Sequence, residues 1–171
     1  PTVRITDTRV DMKKYNLEGE ITADNIRKFV KDWQSGALKQ SLKSEEIPAE
    51  QTGNVYVLVG KSFDSIVLDE TKDVLVKFYA PWCGHCKTIA PIFEELATKL
   101  KHNKNLIIAK IDSTTNETDK VSIQGFPTIK FFPAGKKNSP IDFDGDRTVE
   151  EFEAFLNKHA SVPLSNNKDD L

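Results

Sequence analysis

Cysteine is scarce in this chain. Its 171 residues include two cysteines, Cys83 and Cys86, three positions apart. A framework of several disulfide bridges, of the kind that holds small secreted folds together, is therefore excluded. Because both sulfur atoms belong to one short motif, we expect them to serve chemistry rather than cross-linking.

The chain also lacks a long hydrophobic run and an excess of charge of one sign. The longest apolar stretch, from Val74 to Trp82, is interrupted by Lys77 and is shorter than the roughly 18 to 20 residues that cross a bilayer. Lysine and arginine number 24 against 26 acidic residues, and no basic block stands out. We therefore expect no membrane insertion and no nucleic-acid partner. The content of 38% hydrophobic and 29% charged residues is that of a globular protein.

One internal repeat is present, at a constant offset of 126 residues. The matched positions are Pro1 with Pro127, Gly19 with Gly145, Thr22 with Thr148, and the apolar residues Ile26, Phe29 and Val30 with Phe152, Phe155 and Leu156. Each copy predicts two short strands, a capping threonine and an amphipathic helix. We interpret residues 1–38 as the terminal half of a preceding domain, the alternative being coincidence between two common β-β-α units.

Residues 39–53 are polar, with proline and glycine as breakers, and are predicted to be a linker. Residues 54–160 predict one α/β domain with a central mixed sheet and helices on both faces. The runs Val74 to Tyr79 and Leu106 to Ile111 are typical of buried strands, and Cys83 to Leu100 has one apolar helical face. The other expected elements are strands at 55–59, 128–132 and 141–143, a short helix or turn at 63–68, a helix at 148–158, and at most a short helix at 118–121.

The Cys-x-x-Cys pair stands at the junction between a predicted strand and a predicted helix. There the first sulfur lies near unpaired backbone N–H groups and the positive end of the helix dipole, which favours its thiolate. A lowered pKa makes that thiol a nucleophile near neutral pH. We predict that Cys83 attacks a disulfide and that Cys86, one turn on and more buried, resolves the product.

Two other interpretations of the pair are weaker. The spacing is also that of half a zinc site, but zinc needs four ligands, the chain has no second cysteine pair, and His102 and His159 fit no zinc-finger spacing. A structural disulfide closing so small a loop would restrict few unfolded conformations. We expect neither a metal nor a bound organic cofactor.

A longer set of residues carries a family resemblance. Residues 78–87 (Phe-Tyr-Ala-Pro-Trp-Cys-Gly-His-Cys-Lys), Phe126-Pro127-Thr128 and Gly145-Asp146-Arg147-Thr148 resemble the C-terminal catalytic thioredoxin-like domain of the protein disulfide isomerase family. The resemblance implies a thioredoxin-like fold for residues 54–160. It implies that residues 1–38 end the noncatalytic substrate-binding domain before it. It also implies an activity, the formation, breakage and rearrangement of disulfides in folding secretory proteins.

The resemblance implies a substrate-binding rim formed by Trp82, Phe126 and Pro127. Pro127 is similar to the family's cis-proline, which exposes a backbone edge to substrate; the alternative is a plain strand-edge proline. Trp82 would shield the sulfurs and contact unfolded chains, unless it packs in the core.

Three further residues, Gly84, His85 and Arg147, are assigned to the catalytic site beside the sulfurs. His85, separated from Cys83 by Gly84, would add positive charge beside the thiolate, unless it is an exposed spacer. Arg147 matches the family arginine that approaches the second cysteine and lowers its pKa; a surface arginine is the alternative.

One position departs from the family pattern. Many catalytic domains carry a buried glutamate in the strand before the cysteines, paired with a lysine; here Lys77 replaces the glutamate, and Lys110 keeps the partner position. Two buried charged lysines would repel, so either Lys77 extends to water or one lysine has a depressed pKa. The proton acceptor for Cys86 is left open, with Lys110 as a doubtful candidate for proton transfer.

The last four residues, Lys168-Asp169-Asp170-Leu171, are close to the retrieval signal of endoplasmic reticulum proteins. We expect residues 161–171 to be a flexible tail that binds the retrieval receptor, and the protein to reside in the endoplasmic reticulum lumen. Asn116-Glu117-Thr118 fits the acceptor pattern for N-glycosylation.

Our first hypothesis is a disulfide isomerase that acts on unfolded or misfolded cysteine-containing secretory proteins. Glutathione or an upstream thiol oxidase would be its redox partner. The alternative is a chaperone-like module that binds unfolded chains and has secondary redox activity. A reductase of the thioredoxin type is disfavoured by His85 and the tail.

Overall fold

The computed structural model describes residues 1–10 and 12–165, which fall into two compact units, Pro1–Lys43 and a second unit that begins at Ser44. The boundary lies within the segment 39–53, predicted as a linker. On one side of it, Ser41 N donates a hydrogen bond to the Lys14 carbonyl over 2.7 Å. On the other side, Glu45 N donates to Asn116 Oδ1 over 3.0 Å. The residues on the two sides of the boundary are therefore each hydrogen-bonded to their own unit.

The first unit is a hairpin followed by a helix. Strand β1 (Arg4–Asp7) pairs antiparallel with β2 (Lys13–Asn16), and α1 (Ala23–Gln34) follows. Thr22 caps α1, because its Oγ1 accepts a hydrogen bond from Asn25 N at 3.1 Å. The β-β-α order agrees with the order predicted from the repeat.

The described part of the second unit, residues 44–165, contains eight helices and strands. In chain order they are β3 (Tyr56–Leu58), α2 (Gly60–Val67), β4 (Asp73–Tyr79), α3 (Gly84–Leu100), β5 (Leu106–Asp112), β6 (Thr128–Phe132), β7 (Ile141–Asp142) and α4 (Val149–His159). Helix α4 begins 126 positions after α1, and Thr148 caps it as Thr22 caps α1. The short helix considered at 118–121 is not formed. Thr118 Oγ1 instead accepts from Lys120 N at 3.2 Å, a local bond that competes with helical pairing.

A five-stranded sheet in the order β3-β5-β4-β6-β7 lies at the centre of this unit. Strand β4 is parallel to β5 and antiparallel to β6, so the sheet is mixed. Alternate residues of a strand point to opposite faces, and Leu75 packs with α3 and α4 whereas Val74 and Val76 pack with α2. Helices therefore cover both faces of a central mixed sheet, which is the α/β architecture predicted for residues 54–160.

Residues 161–165 differ from the predicted flexible tail. Ser161 N and Ser161 Oγ both donate to Asp73 Oδ2, at 2.8 and 2.9 Å, which ties this segment to the start of β4. The predicted retrieval signal at 168–171 lies outside the described residues. None of the helices within the described ranges is long and apolar enough to cross a membrane.

Candidate functional site

The two cysteines lie where the central strand leads into the 17-residue helix α3. Cys83 is the N-cap residue of α3, and its Sγ accepts a hydrogen bond from Cys86 N at 3.2 Å. The thiol thus occupies the place that a serine, threonine or aspartate side chain usually takes at a helix start. Both thiols are free, and Cys83 and Cys86 are 8% and 4% exposed.

The surroundings of Cys83 favour its anion. A hydrogen bond with the Cys86 thiol has the largest effect and lowers the pKa of the Cys83 thiol. Burial opposes this change, while the backbone N–H groups of Cys86 and His85 and the charge of Arg147 lower the pKa further. The net direction is downward, the direction predicted for the first thiol.

The pKa of the second thiol moves the other way. Burial raises the pKa of Cys86, and its hydrogen bond to Cys83 adds to the rise. The backbone at Ala80 and the charge of Lys77 lower the pKa without reversing the direction. Cys83 is therefore the sulfur prepared to ionise, and Cys86 is the protonated donor beside it.

An aromatic rim borders Cys83. Trp82 is 72% exposed and meets the ring of Phe126 edge-on, with 6.0 Å between ring centroids. This exposure excludes core packing for Trp82. The Phe126–Pro127 peptide bond is cis, as the resemblance implies, and the Cys83 thiol donates to the Phe126 carbonyl over 3.6 Å. An apolar surface and a backbone edge thus lie next to the sulfur predicted to react.

Gly84 and His85 are both exposed in the first turn of α3. His85 acts on Cys83 through its backbone N–H; the effect of its imidazole charge stays a prediction. A Cβ added at Gly84 would meet no atom within 4 Å, so packing does not require glycine there.

Arg147 is exposed and lines a groove of about 420 Å³ together with Gln124, Pro127 and Asp144. Its charge is near enough to lower the pKa of Cys83. The resemblance predicts an effect of this arginine on Cys86, so the structure adds an effect on the other thiol.

Lys77 is almost wholly buried. The residue is 3% exposed, and burial followed by the charge of Lys110 lowers the pKa of Lys77 to about 8. The lowered pKa agrees with the second of the two alternatives derived from the sequence. Lys110 stands directly opposite Lys77 in the sheet, and its Nζ forms an ion pair with Glu94 Oε1 at 3.0 Å.

Sequence reasoning missed Glu94. It lies eight residues after Cys86, about two helical turns along α3, so its position on the same side of the helix could have been read from the spacing. No pattern in the sequence pairs it with Lys110. In residues 1–10 and 12–165, no three His, Cys, Asp or Glu side chains form a group that could hold a metal.

Comparison with known proteins places this site in context. The sequence matches the Thioredoxin family over residues 54–158. It is 47% identical over 165 residues to protein disulfide isomerase-like 1-3 of Arabidopsis thaliana, which covers 96% of this chain and 28% of that protein. It is likewise 47% identical over 164 residues to the protein disulfide-isomerase of Drosophila melanogaster, with coverages of 95% and 33%.

A solved structure shows the same fold. The first thioredoxin domain of mouse protein disulfide-isomerase A4 matches with a TM-score of 0.58 and 36% identity, over 74% of this chain and 90% of that domain. The chain spans 28% and 33% of the length of the two curated relatives named above.

Proposed function

Because the chain belongs to the thioredoxin family, we propose that it is a thiol-disulfide oxidoreductase that acts as a protein disulfide isomerase through its Cys-Gly-His-Cys site. The observation that carries this proposal is the placement of Cys83 Sγ at the start of α3, with Cys86 N donating to it at 3.2 Å. The opposite pKa directions of the two thiols support a division between an attacking and a resolving cysteine.

The reaction begins with attack by the Cys83 thiolate on one sulfur of a substrate disulfide. A mixed disulfide forms, and the departing substrate thiolate takes up a proton. Cys86, after losing its proton, attacks the Cys83 sulfur, so the protein is oxidised to a Cys83–Cys86 disulfide while the substrate is reduced to two thiols. The reverse sequence forms a disulfide in the substrate. Rearrangement follows when a second substrate thiol attacks the mixed disulfide first and frees Cys83.

The proposed substrates are unfolded or misfolded cysteine-containing secretory proteins in the endoplasmic reticulum lumen, with glutathione or a thiol oxidase as redox partner. The relatives are named disulfide isomerases, which supports protein disulfides as the bonds acted on, and the exposed rim of Trp82 and Phe126 beside Cys83 supports contact with unfolded chains. Retrieval by the tetrapeptide-binding receptor is part of the same proposal. Residues 1–38 are proposed to be the end of a noncatalytic thioredoxin-like domain.

The test of this proposal is an experiment that traps the mixed disulfide between the protein and a substrate. A Cys86→Ser chain mixed with a peptide disulfide should accumulate a covalent complex through Cys83, whereas the matched Cys83→Ser chain should form none. Absence of the complex with Cys86→Ser would contradict the proposal. For the Cys83–Cys86 pair, a reduction potential of about −180 mV is expected for an isomerase. A potential of about −270 mV would indicate a thioredoxin-type reductase.

The second candidate is a chaperone-like binding module, favoured by the 72% exposure of Trp82. A chain with both cysteines changed to serine separates the two functions. Suppression of the aggregation of an unfolded protein should survive in that chain if binding is the main activity, and disulfide exchange should be absent.

A further inference from the structure

Lys77 is a buried cation in the strand that leads to the redox pair. It occupies the middle of the central strand, and its Nζ lies 5.0 Å from the ring centroid of Phe93 and 5.7 Å from that of Tyr79. Ring faces attract a cation but do not neutralise it. Among the residues that the structure describes, Lys77 forms no ion pair. A buried charge without a counter-ion is costly, so its nearest ionisable neighbours decide what it does.

The second lysine is already compensated. Lys110 is the direct neighbour of Lys77 across the sheet, and Glu94 of α3 holds its ammonium at 3.0 Å. Lys77 therefore remains the uncompensated cation of the pair.

Geometry places Lys77 near Cys86. Phe93, whose ring Lys77 Nζ faces, lies seven residues after Cys86 on the same buried face of α3. Tyr79, whose ring Lys77 Nζ also faces, packs against the two cysteines. The interaction between Lys77 and Cys86 is mutual, since the Lys77 charge lowers the pKa of Cys86 and the Cys86 anion raises the pKa of Lys77.

We propose that Lys77 is the buried counter-charge of the Cys86 thiolate and lets Cys86 resolve mixed disulfides at a lower pH than its burial alone would allow. This inference rests on the proposed function. A glutamate at this position would act with the opposite sign, because an anion raises the pKa of a neighbouring thiol. Lys77 touches no reacting atom and acts through Cys86, so it is a positioning residue.

In the resolving step, Cys86 releases its proton to water and its thiolate attacks the Cys83 sulfur. The Cys83–Cys86 bond forms, the bond from Cys83 to the substrate sulfur breaks, and the substrate sulfur leaves with the electron pair and takes up a proton. The ammonium of Lys77 stabilises the charge that exists on Cys86 before the attack.

The groups that face Lys77 define the pH dependence. Its pKa of about 8 means that it is mostly charged at neutral pH and loses its effect as the pH rises through that value. The neighbours that titrate or carry charge are Lys110 from β5, Cys86 and Glu94 from α3, and Tyr79 from its own strand, while β6 contributes the apolar Ile129. Burial raises the pKa of Tyr79, so that phenol is neutral where Lys77 is charged.

The first test measures the titration of Cys86 by thiolate absorbance in a Cys83→Ala chain, with and without Lys77→Met. The pKa of Cys86 should rise by roughly one unit when Lys77 is removed, which is tenfold less thiolate at neutral pH. Lys137→Met is the matched control, because Lys137 is also a buried lysine, 5% exposed, whose Nζ donates to the Lys72 and Phe132 carbonyls. Equal Cys86 titrations in the Lys77→Met and control chains overturn the inference.

The second test follows release of a peptide thiol from the mixed disulfide. Resolution by the Lys77→Met chain should be roughly tenfold slower at neutral pH and should approach the natural rate at alkaline pH, while formation of the mixed disulfide stays unchanged. Normal formation with unchanged resolution overturns this inference and leaves the proposed function intact. Failure of the natural chain to form the mixed disulfide overturns the proposed function.

A third measurement keeps Lys77 in place, should the Lys77→Met chain fail to fold. The ¹³Cε resonance of Lys77 is titrated in the reduced natural chain and in Cys86→Ser. Because coupling is reciprocal, the alkaline end of the Lys77 titration curve, where Cys86 ionises, should move to lower pH when the thiol is removed. An unchanged midpoint and curve shape would overturn the inference.

Discussion

Two sulfur atoms three residues apart have opposite tendencies because they occupy different places on one helix. Cys83 stands before the first turn, where its Sγ accepts a hydrogen bond from a backbone N–H group, whereas Cys86 faces the interior. The alternation of a β-rich run with an amphipathic helix predicts this difference from the sequence. The contacts among Lys77, Lys110 and Glu94 could not be predicted fully from the sequence, because they depend on which strands become neighbours in the sheet.

Trp82 can be tested as a contact for substrate. Trp82→Ala should slow exchange with an apolar peptide disulfide by roughly two- to tenfold, the worth of one aromatic contact, and leave exchange with glutathione disulfide unchanged. The free energy of unfolding should change by less than about 0.5 kcal/mol, because the side chain is 72% exposed.

The control is Trp33→Ala in the first unit, the only other tryptophan of the chain, which stacks with Arg9. Equal slowing of the peptide and glutathione reactions by Trp82→Ala would show that the ring supports the cysteines rather than the substrate.

Among the helices and strands, the helix starts show which caps can be predicted from the local sequence and which cannot. Thr22 and Thr148 cap α1 and α4 from the adjacent position, and both caps were predicted from the repeat. Helix α2 is different, because its N-cap Val59 has no acceptor in its side chain. Asn116 Oδ1 accepts from Gly60 N at 2.9 Å instead, from 56 residues away, which no local pattern indicates.

Asn116 also explains why the glycosylation pattern at 116–118 is not available in the folded protein. Its side chain is buried, and Nδ2 donates to Glu45 Oε2 at 2.8 Å and to the Asp112 carbonyl at 3.1 Å. An attached glycan would have to replace these bonds. The sequence pattern identifies the acceptor residue but carries no information about its burial.

Replacing Asn116 by alanine should lower the free energy of unfolding by about 2–4 kcal/mol, since Glu45 N and Gly60 N each lose their acceptor. Denaturant unfolding measures the change. Asn157→Ala, at an exposed position of α4, is the control and should change it by less than about 0.5 kcal/mol. Similar losses in both variants would show that the network around Asn116 contributes little.

The two units differ in how much apolar surface they bury. Nearly all of the buried apolar residues belong to the second unit, where they line both faces of the sheet. In the described part of residues 1–43, Phe29, 5% exposed, is the only buried apolar side chain. Hydrophobic patterning predicts the large core well. The division of that core between the two faces of the sheet follows from the pairing of strands that are far apart in the sequence. Hydrophobic patterning does not determine this pairing.

Amide hydrogen exchange should therefore distinguish the units. The amides of β1 and β2 should exchange through local opening well before those of β4 and β5, because few apolar contacts oppose the opening of the first unit. Mass spectrometry of proteolytic peptides resolves the two regions. Equal protection in both would show that the first unit has support that its own core does not provide.

The central claim is that Cys83 ionises more readily than an ordinary thiol. Alkylation of the reduced natural chain, with the site of modification read by mass spectrometry at each pH, measures this directly. We predict that Cys83 reacts first and that its rate reaches half of its maximum below the free-cysteine value of about 8.5. A midpoint at or above that value, or preferential modification of Cys86, would contradict the account.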